Sequence, residues 1–188
     1  MNYLIFFDES NKIDQFNKDF SYYGAYGGTD SSLAKVVKKV KQIYLDSNSK
    51  RELHFREYTK DTHIKKYIKT LHTVINEDIK INILLVNNRD ALSSAAKIGL
   101  STSELRNLFY IKIPERLFYG VTRDLPIPDN ETEMIRVKIK IDSNDEYDNL
   151  GLNQKINEQM NAHSAYRNKN YRVDKVTTLD SQKSIPLQ

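Results

Sequence analysis

The sequence contains no cysteine among its 188 residues. Disulfide bonds, thiolate metal sites and cysteine nucleophiles are therefore excluded together, and any chemistry must come from carboxylate, histidine, serine, tyrosine or lysine side chains. Long apolar runs are missing as well, and a mean hydropathy of −0.64 argues against a membrane span. The sequence also lacks low-complexity tracts and internal repeats, which is typical of an ordinary globular chain.

A secretory signal is missing from the N-terminus, because Met1-Asn2-Tyr3 has no basic segment and the following apolar run ends at Asp8. We therefore predict a cytoplasmic protein with no membrane partner. The length fits a single domain over residues 1–188 with one core. The net charge of +4 permits binding to a polyanion, although a lysine-rich solvated surface explains this charge equally well.

The stretch from Tyr3 to Phe7 consists of five apolar or aromatic residues, which predicts a strand in mid-sheet that is covered on both faces. Asp8 and Glu9 follow directly, and alternation directs their side chains to opposite faces of the sheet. A carboxylate at the tip of a central strand is a natural ligand for a hard cation. A plain turn beginning at Asp8 is the equal alternative, since Asp-Glu-Ser-Asn is also typical of turns.

The remaining pattern predicts alternating strands and helices. The polar run 11–19 predicts a hairpin connection between the first strand and a second, antiparallel strand. Two helices with apolar stripes assigned to the core follow, the first with Asp30, Ser31 or Ser32 as N-cap. The predicted elements after the first strand are a strand over Phe20–Gly28, helices over Leu33–Tyr44 and Ile64–Ile75, a strand over Lys80–Val86, a turn over Asn87–Asp90, a helical region over 91–123 interrupted at Gly99 and restarted by a Ser101/Glu104 capping box, a strand over Met134–Asp142, a helix over Asn149–Tyr166 and a strand over Tyr171–Leu179.

The strand Met134–Asp142 alternates strictly between β-branched and charged residues, so one of its faces should be wet. Like the first strand, it ends in a carboxylate. Two strands that end in Asp8 and Asp142, with Glu52 from a third segment, form the pattern of a divalent-metal site, and phosphoryl transfer is the usual chemistry of such a site. With 25 acidic residues in the chain, two such strand ends also arise by chance.

Tyrosines cluster in the second predicted strand at Tyr22, Tyr23 and Tyr26. Such side chains can stack nucleic-acid bases. Core packing and cross-strand contacts are the favoured prediction for them.

Five segments in order, LIFFDES, YYGAYGG, RELHF, KIKID and SIPLQ, resemble the "domain of unknown function" family numbered three-thousand-eight-hundred, which has a ribonuclease H-like fold. The resemblance implies an α/β fold with a mixed sheet flanked by helices and an N-terminal antiparallel hairpin. It implies Asp8, Glu52 and Asp142 as catalytic carboxylates that bind two Mg²⁺ or Mn²⁺ ions. Glu9, Ser10 and His54 occupy supporting positions in the first loop and in the Glu-Leu segment.

Three departures from the family pattern matter. Asn11 stands where the family prefers glycine, and His54 stands where it has lysine. The family closes with a Leu-Gln-x-Ala-Asp helix, whereas this sequence stops at Leu187-Gln188, so one carboxylate and one helix are expected to be lacking. We therefore expect an incomplete domain with impaired activity, and either a homodimer that covers the apolar surface left open or a tendency to aggregate.

The predicted function is hydrolysis of phosphodiester bonds in a nucleic acid, with DNA and RNA both open. The alternative is a non-catalytic module on the same fold that binds nucleic acid or protein. A PIN-type nuclease usually passes from its first strand into a helix, and the strand over Phe20–Gly28 argues against it. A haloacid-dehalogenase-like phosphatase needs an aspartate two residues after Asp8, where this chain has Ser10.

Overall fold

The computed structural model describes residues 1–14, 18–48, 61–125, 134–142 and 145–179. Glu52 and His54 lie outside these ranges. The described elements, in chain order, are β1 (Asn2–Ser10), β2 (Phe20–Thr29), α1 (Asp30–Asp46), α2 (Asp61–Ile75), β3 (Lys80–Asn87), α3 (Asn88–Lys97), α4 (Thr102–Thr122), β4 (Ile135–Asp142), α5 (Asp145–Asn149), α6 (Leu152–Tyr166) and β5 (Tyr171–Leu179).

The strands form one five-stranded sheet in the order β3-β2-β1-β4-β5. The β2–β3 pair is antiparallel, and the β1–β4 and β4–β5 pairs are parallel. The first strand therefore lies in mid-sheet, and the first and fourth strands are neighbours. The predicted α/β architecture, a mixed sheet flanked by helices with N-terminal antiparallel strands, is confirmed.

One face of the sheet is the core of the molecule. Alternation along β1 and β4 places every second side chain on this helix-covered face, and Ile5, Val137 and Ile139 have no exposed surface there. Helices α4 and α6 supply the opposing layer through residues such as Phe118 and Met160, which are equally buried. Each such side chain contributes roughly 1.5–3 kcal/mol by leaving water, so the two helices are held to the sheet by apolar packing.

Glycine allows α4 to approach the sheet closely at Gly27 in β2. A Cβ atom at this position would lie 2.7 Å from Cγ1 of Val121 in α4 and 2.8 Å from Cε1 of Tyr3 in β1. Both neighbours are themselves buried. Strand β2 can therefore pass this close to helix α4 only because residue 27 is a glycine, which has no side chain.

Side-chain caps fix where two helices begin. Ser101 accepts a hydrogen bond from the backbone of Glu104, whose carboxylate accepts one from the Ser101 N–H at 2.8 Å, so the predicted capping box is present. These hydrogen bonds from Ser101 lower the pKa of the Glu104 carboxyl. The side chain of Asn87 caps α3 in the same way, with the Asp90 N–H as donor. The predicted turn over Asn87–Asp90 is therefore wrong, because Asn87 starts a helix there.

Residues 28–79 form a compact unit of their own, which contains α1 and α2. Its first helix is capped by Thr29 rather than by the predicted Asp30, Ser31 or Ser32, since the Thr29 hydroxyl accepts from the Ser32 N–H. The other unit is formed by residues 1–27 and 80–185 and contains most of the sheet. The prediction of a single domain over residues 1–188 is not tested by this division.

The predicted core stripe of α2 is wrong in part. Ile68, Leu71 and Ile75 are 61%, 60% and 63% exposed. Lys66, by contrast, is buried, and its ammonium lies 4.7 Å from the centre of the Tyr44 ring. Such a cation–π contact offsets part of the cost of removing the ammonium from water.

Three further expectations need correction. The first strand does not end at Asp8, since β1 continues to Ser10. The second face of β1 is not fully covered, because Phe6 is half-buried. The helix predicted from Asn149 begins at Leu152 instead, after Gly151 with a φ of 60°, and the short helix α5 precedes it. No helix in the described ranges is long and apolar enough to cross a membrane.

Candidate nucleic-acid interface and metal centre

The strand register places two of the predicted carboxylates side by side. In the parallel β1–β4 pair, Phe6 is opposite Lys140 and Phe7 is opposite Ile141, so the next residues, Asp8 and Asp142, occupy adjacent positions at one end of the sheet. Neighbouring strands lie about 4.8 Å apart, and residues in register share a face. Asp8 is exposed and Asp142 is half-buried. Both belong to the face opposite the helix-covered one, which we call the open face.

Glu9 belongs to the other side of β1. Its charge adds to burial in raising the pKa values of the Tyr147, Tyr110 and Tyr23 hydroxyls, the last to about 12. All three rings lie in the helix-covered core. Glu9 therefore does not join Asp8 and Asp142 on the open face, and Ser10 lies exposed at the end of β1.

The remaining predicted ligand, Glu52, and its neighbour His54 lie outside the described residues. Within the described ranges, no group of three or more histidine, aspartate or glutamate side chains is arranged to hold a metal ion. Asp8 and Asp142 alone nevertheless suit a Mg²⁺ ion, which commonly takes one or two carboxylates and completes its shell with water and phosphate oxygens. The metal-binding and catalytic roles of the predicted residues stay predictions.

Aromatic rings line the open face on β1 and β2. The rings of Phe6 and Tyr26 are stacked with their centres 4.9 Å apart, and Tyr22 and Tyr26 are 46% and 43% exposed. The predicted core packing is therefore wrong for Tyr22 and Tyr26, although the stack of Tyr26 on Phe6 is a cross-strand contact of the predicted kind. Tyr23, on the opposite face, is 2% exposed and belongs to the core. Burial of the Tyr26 hydroxyl, together with the nearby Asp8 charge, raises its pKa to about 12.

Cations continue the open face on β4 and β5. Lys140 lies 5.6 Å above the centre of the Phe6 ring, and Lys138 follows one alternation earlier on the same strand. Arg136 and Arg172 are exposed and lie opposite each other in the β4–β5 pair. In the described part of the chain, none of these four cations forms an ion pair with a carboxylate. The open face thus joins an aromatic half to a basic half.

An ionic cluster that sequence analysis did not predict lies at the rim beside this site. Glu146 in α5 accepts hydrogen bonds from the Tyr110 hydroxyl at 2.6 Å and from Lys12 Nζ at 3.2 Å. Arg106 of α4 pairs with Asp14 and lies 3.8 Å from Glu146. The hydrogen bond from Tyr110, followed by the Lys12 and Arg106 charges, lowers the pKa of Glu146. The cluster anchors the chain just after β1 to α4 and α5, which fixes the strand end that carries Asp8.

An available signal for this cluster was Glu146 itself. Glu146 follows Asp142 closely in the sequence, but the short helix over Asp145–Asn149 that positions it was not predicted. The partners of Glu146 come from segments more than 30 residues away, so neither spacing nor composition could identify them.

Comparisons with known proteins give few matches. No protein-family model matches the chain, and no curated protein does. Among solved structures, a mutant of Bst-RNase HIII and Bst-RNase HIII in complex with Mn²⁺ are similar at a TM-score of 0.43, with 14% and 16% sequence identity. The alignments cover 97% of this chain and 46% of each of those chains. This chain therefore spans less than half their length, and likeness at this level decides nothing about its function.

Proposed function

We propose that the protein is a metal-dependent nuclease of ribonuclease H-like type, which binds a nucleic-acid strand across the open face and hydrolyses it at the end that carries Asp8 and Asp142. One observation carries the proposal. The two carboxylates occupy adjacent register positions on the same face as exposed aromatic rings and as cations that form no ion pair within the described residues. The resemblance to the family with the Asp-Glu-Ser motif supports the same reading.

Binding would use the two halves of the open face differently. Bases would stack on Tyr22 and on the Phe6–Tyr26 pair, where each stacked base contributes roughly 1–3 kcal/mol without sequence preference. Backbone phosphates would contact Lys138 and Lys140, so affinity should fall steeply as salt rises. Because the rings are exposed on a sheet face, unpaired bases fit this surface better than a closed duplex does.

Asp8 and Asp142 would hold a Mg²⁺ or Mn²⁺ ion, with Glu52 as the proposed third carboxylate. When bound, the cation supplies Lewis-acid stabilisation of phosphoryl charge and activation of water. The chain contributes the placement of both carboxylates in the strand register, and the Asp8 oxygen already accepts a hydrogen bond from the Glu9 N–H at 2.7 Å. Tyr26, with its pKa near 12, stays protonated at neutral pH and adds no negative charge beside Asp8.

The decisive experiment is a Mn²⁺-supported cleavage assay on labelled single-stranded DNA and RNA. In line with the impaired activity expected from the sequence, we expect weak cleavage by the wild type and a fall to background for Asp8→Asn and Asp142→Asn. Asp148→Asn, which neutralises an exposed aspartate outside the site, serves as the matched control and should cleave like the wild type. Equal cleavage by the wild type and Asp8→Asn would indicate a contaminating nuclease and overturn the proposal.

A non-catalytic binding module is the second candidate. It is favoured by the lack of a third metal-ligating side chain near Asp8 and Asp142 within the described residues. On this reading, Tyr22→Ala weakens binding of a single strand, and no metal supports cleavage. Ile81, Ile83 and Leu85 of β3 are exposed apolar residues that extend the open face. Such apolar side chains suit a protein partner better than they suit a nucleic acid.

A further inference from the structure

A second group of cations surrounds a cavity of about 550 Å³ between the C-terminal half of α4, α6 and β3. Its helices pack on the helix-covered face of the sheet, so it is separate from the open face. Five of its lining residues are basic or can become so, and one is acidic. The lining consists of Asn82, Lys112, Glu115, Arg116, Tyr119, Gly120, Arg123, His163 and Arg167.

Close contact between α4 and β3 forms one wall of the cavity. A Cβ atom at Gly120 would lie 2.0 Å from Nδ2 of Asn82, so a larger residue here would displace the Asn82 side chain. The Asn82 amide donates a hydrogen bond to the backbone oxygen of Leu117 at 3.2 Å. Asn82 is thus held in place, and the backbone near Arg116 is fixed relative to the sheet.

The single carboxylate in the lining is already occupied. Glu115 is 8% exposed, and its oxygens contact Lys112 Nζ at 2.9 Å and His163 Nε2 at 2.6 Å. Its two oxygens are thus engaged by Lys112 and His163, and within the described residues Glu115 forms no ion pair with an arginine.

The arginines lie around this pair. The Arg167 guanidinium is 4.3 Å from the centre of the Tyr119 ring and donates a hydrogen bond to the Tyr119 hydroxyl, which orients its planar group. Arg116 is exposed, and neither Arg116 nor Arg167 forms an ion pair with a carboxylate in the described residues. Arg123 pairs with the neighbouring Asp124 at 3.3 Å, an exposed contact that contributes little.

We propose that this cavity is a binding site for a di- or triphosphate group. Guanidinium forks match phosphate oxygens in pairs, and two oriented or unpaired arginines beside a lysine suit an anion with several oxygens better than a single carboxylate. The volume lies within the usual range for small-ligand sites. The same chemistry is offered by a free nucleotide and by successive backbone phosphates of a nucleic-acid strand. The site goes beyond the proposed nuclease function and does not depend on it.

Calorimetric titration with inorganic pyrophosphate and with ATP at low salt tests the site. We expect both probes to bind the wild type and to bind Arg116→Gln and Arg167→Gln roughly tenfold more weakly, the usual effect of losing one charged hydrogen-bonding partner. Lys155→Gln is the matched control, since Lys155 is an exposed cation on α6 outside the cavity. It should bind both probes like the wild type.

A labelled single-stranded oligonucleotide forms a further arm. If only the oligonucleotide binds, and Arg116→Gln weakens it while Lys155→Gln does not, backbone phosphates are the source of the ligand and the site stands. If no probe binds, or if Lys155→Gln loses as much affinity as Arg116→Gln, the site is overturned. Asp8→Asn should keep full pyrophosphate affinity, so failure of the nuclease proposal would leave this result unchanged.

Discussion

The two faces of one sheet differ more from each other than any two elements along the chain. On β1, Phe7 is 3% exposed and packs edge-on against Phe118 at 5.7 Å, whereas its neighbour Phe6 lies on the open face, stacked on Tyr26 and beneath Lys140. Identical side chains one residue apart thus pack in the core in one case and form part of the sheet's other face in the other. The alternation of side chains separates the core from the proposed binding surface on the same strands.

The difference matters for mutagenesis of the open face. Because the helix-covered face is already filled by α4 and α6, the residues of the open face are not needed to complete the core. Substitutions on the two faces should therefore change different measured quantities, and each of the following experiments tests that separation.

The largest expected effect is on the helix-covered face. Ile139→Ala removes a fully buried side chain beside Ile5 in the centre of the sheet and should lower the free energy of unfolding by about 2–5 kcal/mol, through lost burial and the cavity left behind. Urea denaturation followed by circular dichroism measures it. Lys138→Ala is the control from the adjacent position of the open face and should change stability by less than about 0.5 kcal/mol. Equal losses for the two variants would contradict the separation of the faces.

A smaller effect is expected at the rim, where Glu146 joins Tyr110 and Lys12. The folded-state pKa of Glu146 is lowered from the usual 4.5, so its stabilising contribution is present above that pH and is lost as the pH falls through the lowered value. Glu146→Gln should cost about 1 kcal/mol at pH 7, since the group is partly exposed.

The same substitution should flatten the dependence of stability on pH below about 4.5. Thermal unfolding of wild type and Glu146→Gln between pH 7 and 3 measures this. Parallel curves over the whole range would show that the carboxylate is not stabilised in the folded state. Glu158→Gln, on the exposed face of α6 and bound to Gln154 alone in the described residues, is a suitable comparison.

The smallest effect on stability is expected from the basic half of the open face. The double variant Lys138→Gln and Lys140→Gln should unfold within about 0.5 kcal/mol of the wild type. Its affinity for a single strand should nevertheless fall, and the slope of log K against log salt should decrease by roughly 1 to 2, because two phosphate contacts are lost. Fluorescence anisotropy at three salt concentrations measures the slope. An unchanged slope would place the binding surface elsewhere.

The sheet was predictable because burial of one face leaves a period of two in the sequence. Strict alternation from Ile135 to Ile141 located β4, and the bounds of β5 agree with the predicted strand Tyr171–Leu179. The neighbouring positions of Asp8 and Asp142 followed from the expected strand order, which the structure shares. Their chemical role did not follow, because register brings the two side chains together without defining what they bind.

The predictions that were wrong or missing concern side chains whose partners are distant in sequence. Apolar spacing in α2 shows that one stripe is apolar but not what covers it, so Ile68 and Leu71 were assigned to the core although they are exposed. Lys66 is buried and contacts the Tyr44 ring, a contact that no local pattern encodes. Likewise, Glu115 and His163 meet across 48 positions, so spacing and composition did not indicate the cationic cavity that they line.

The sheet also contains an irregularity between β4 and β5. Val137 is opposite Val173, but Lys138 is opposite Lys175, so Asp174 is an extra residue in β5. Deletion of Asp174 would leave every later pairing as it is, from Val176 opposite Ile139 to Leu179 opposite Asp142. Deletion of a residue from the matched strand β4 would instead turn each following side chain to the opposite face. We therefore expect this sheet to tolerate a change in length best at Asp174 in the edge strand β5. Only there, within the described strands, can a residue be removed without moving core side chains to the open face and open-face side chains into the core.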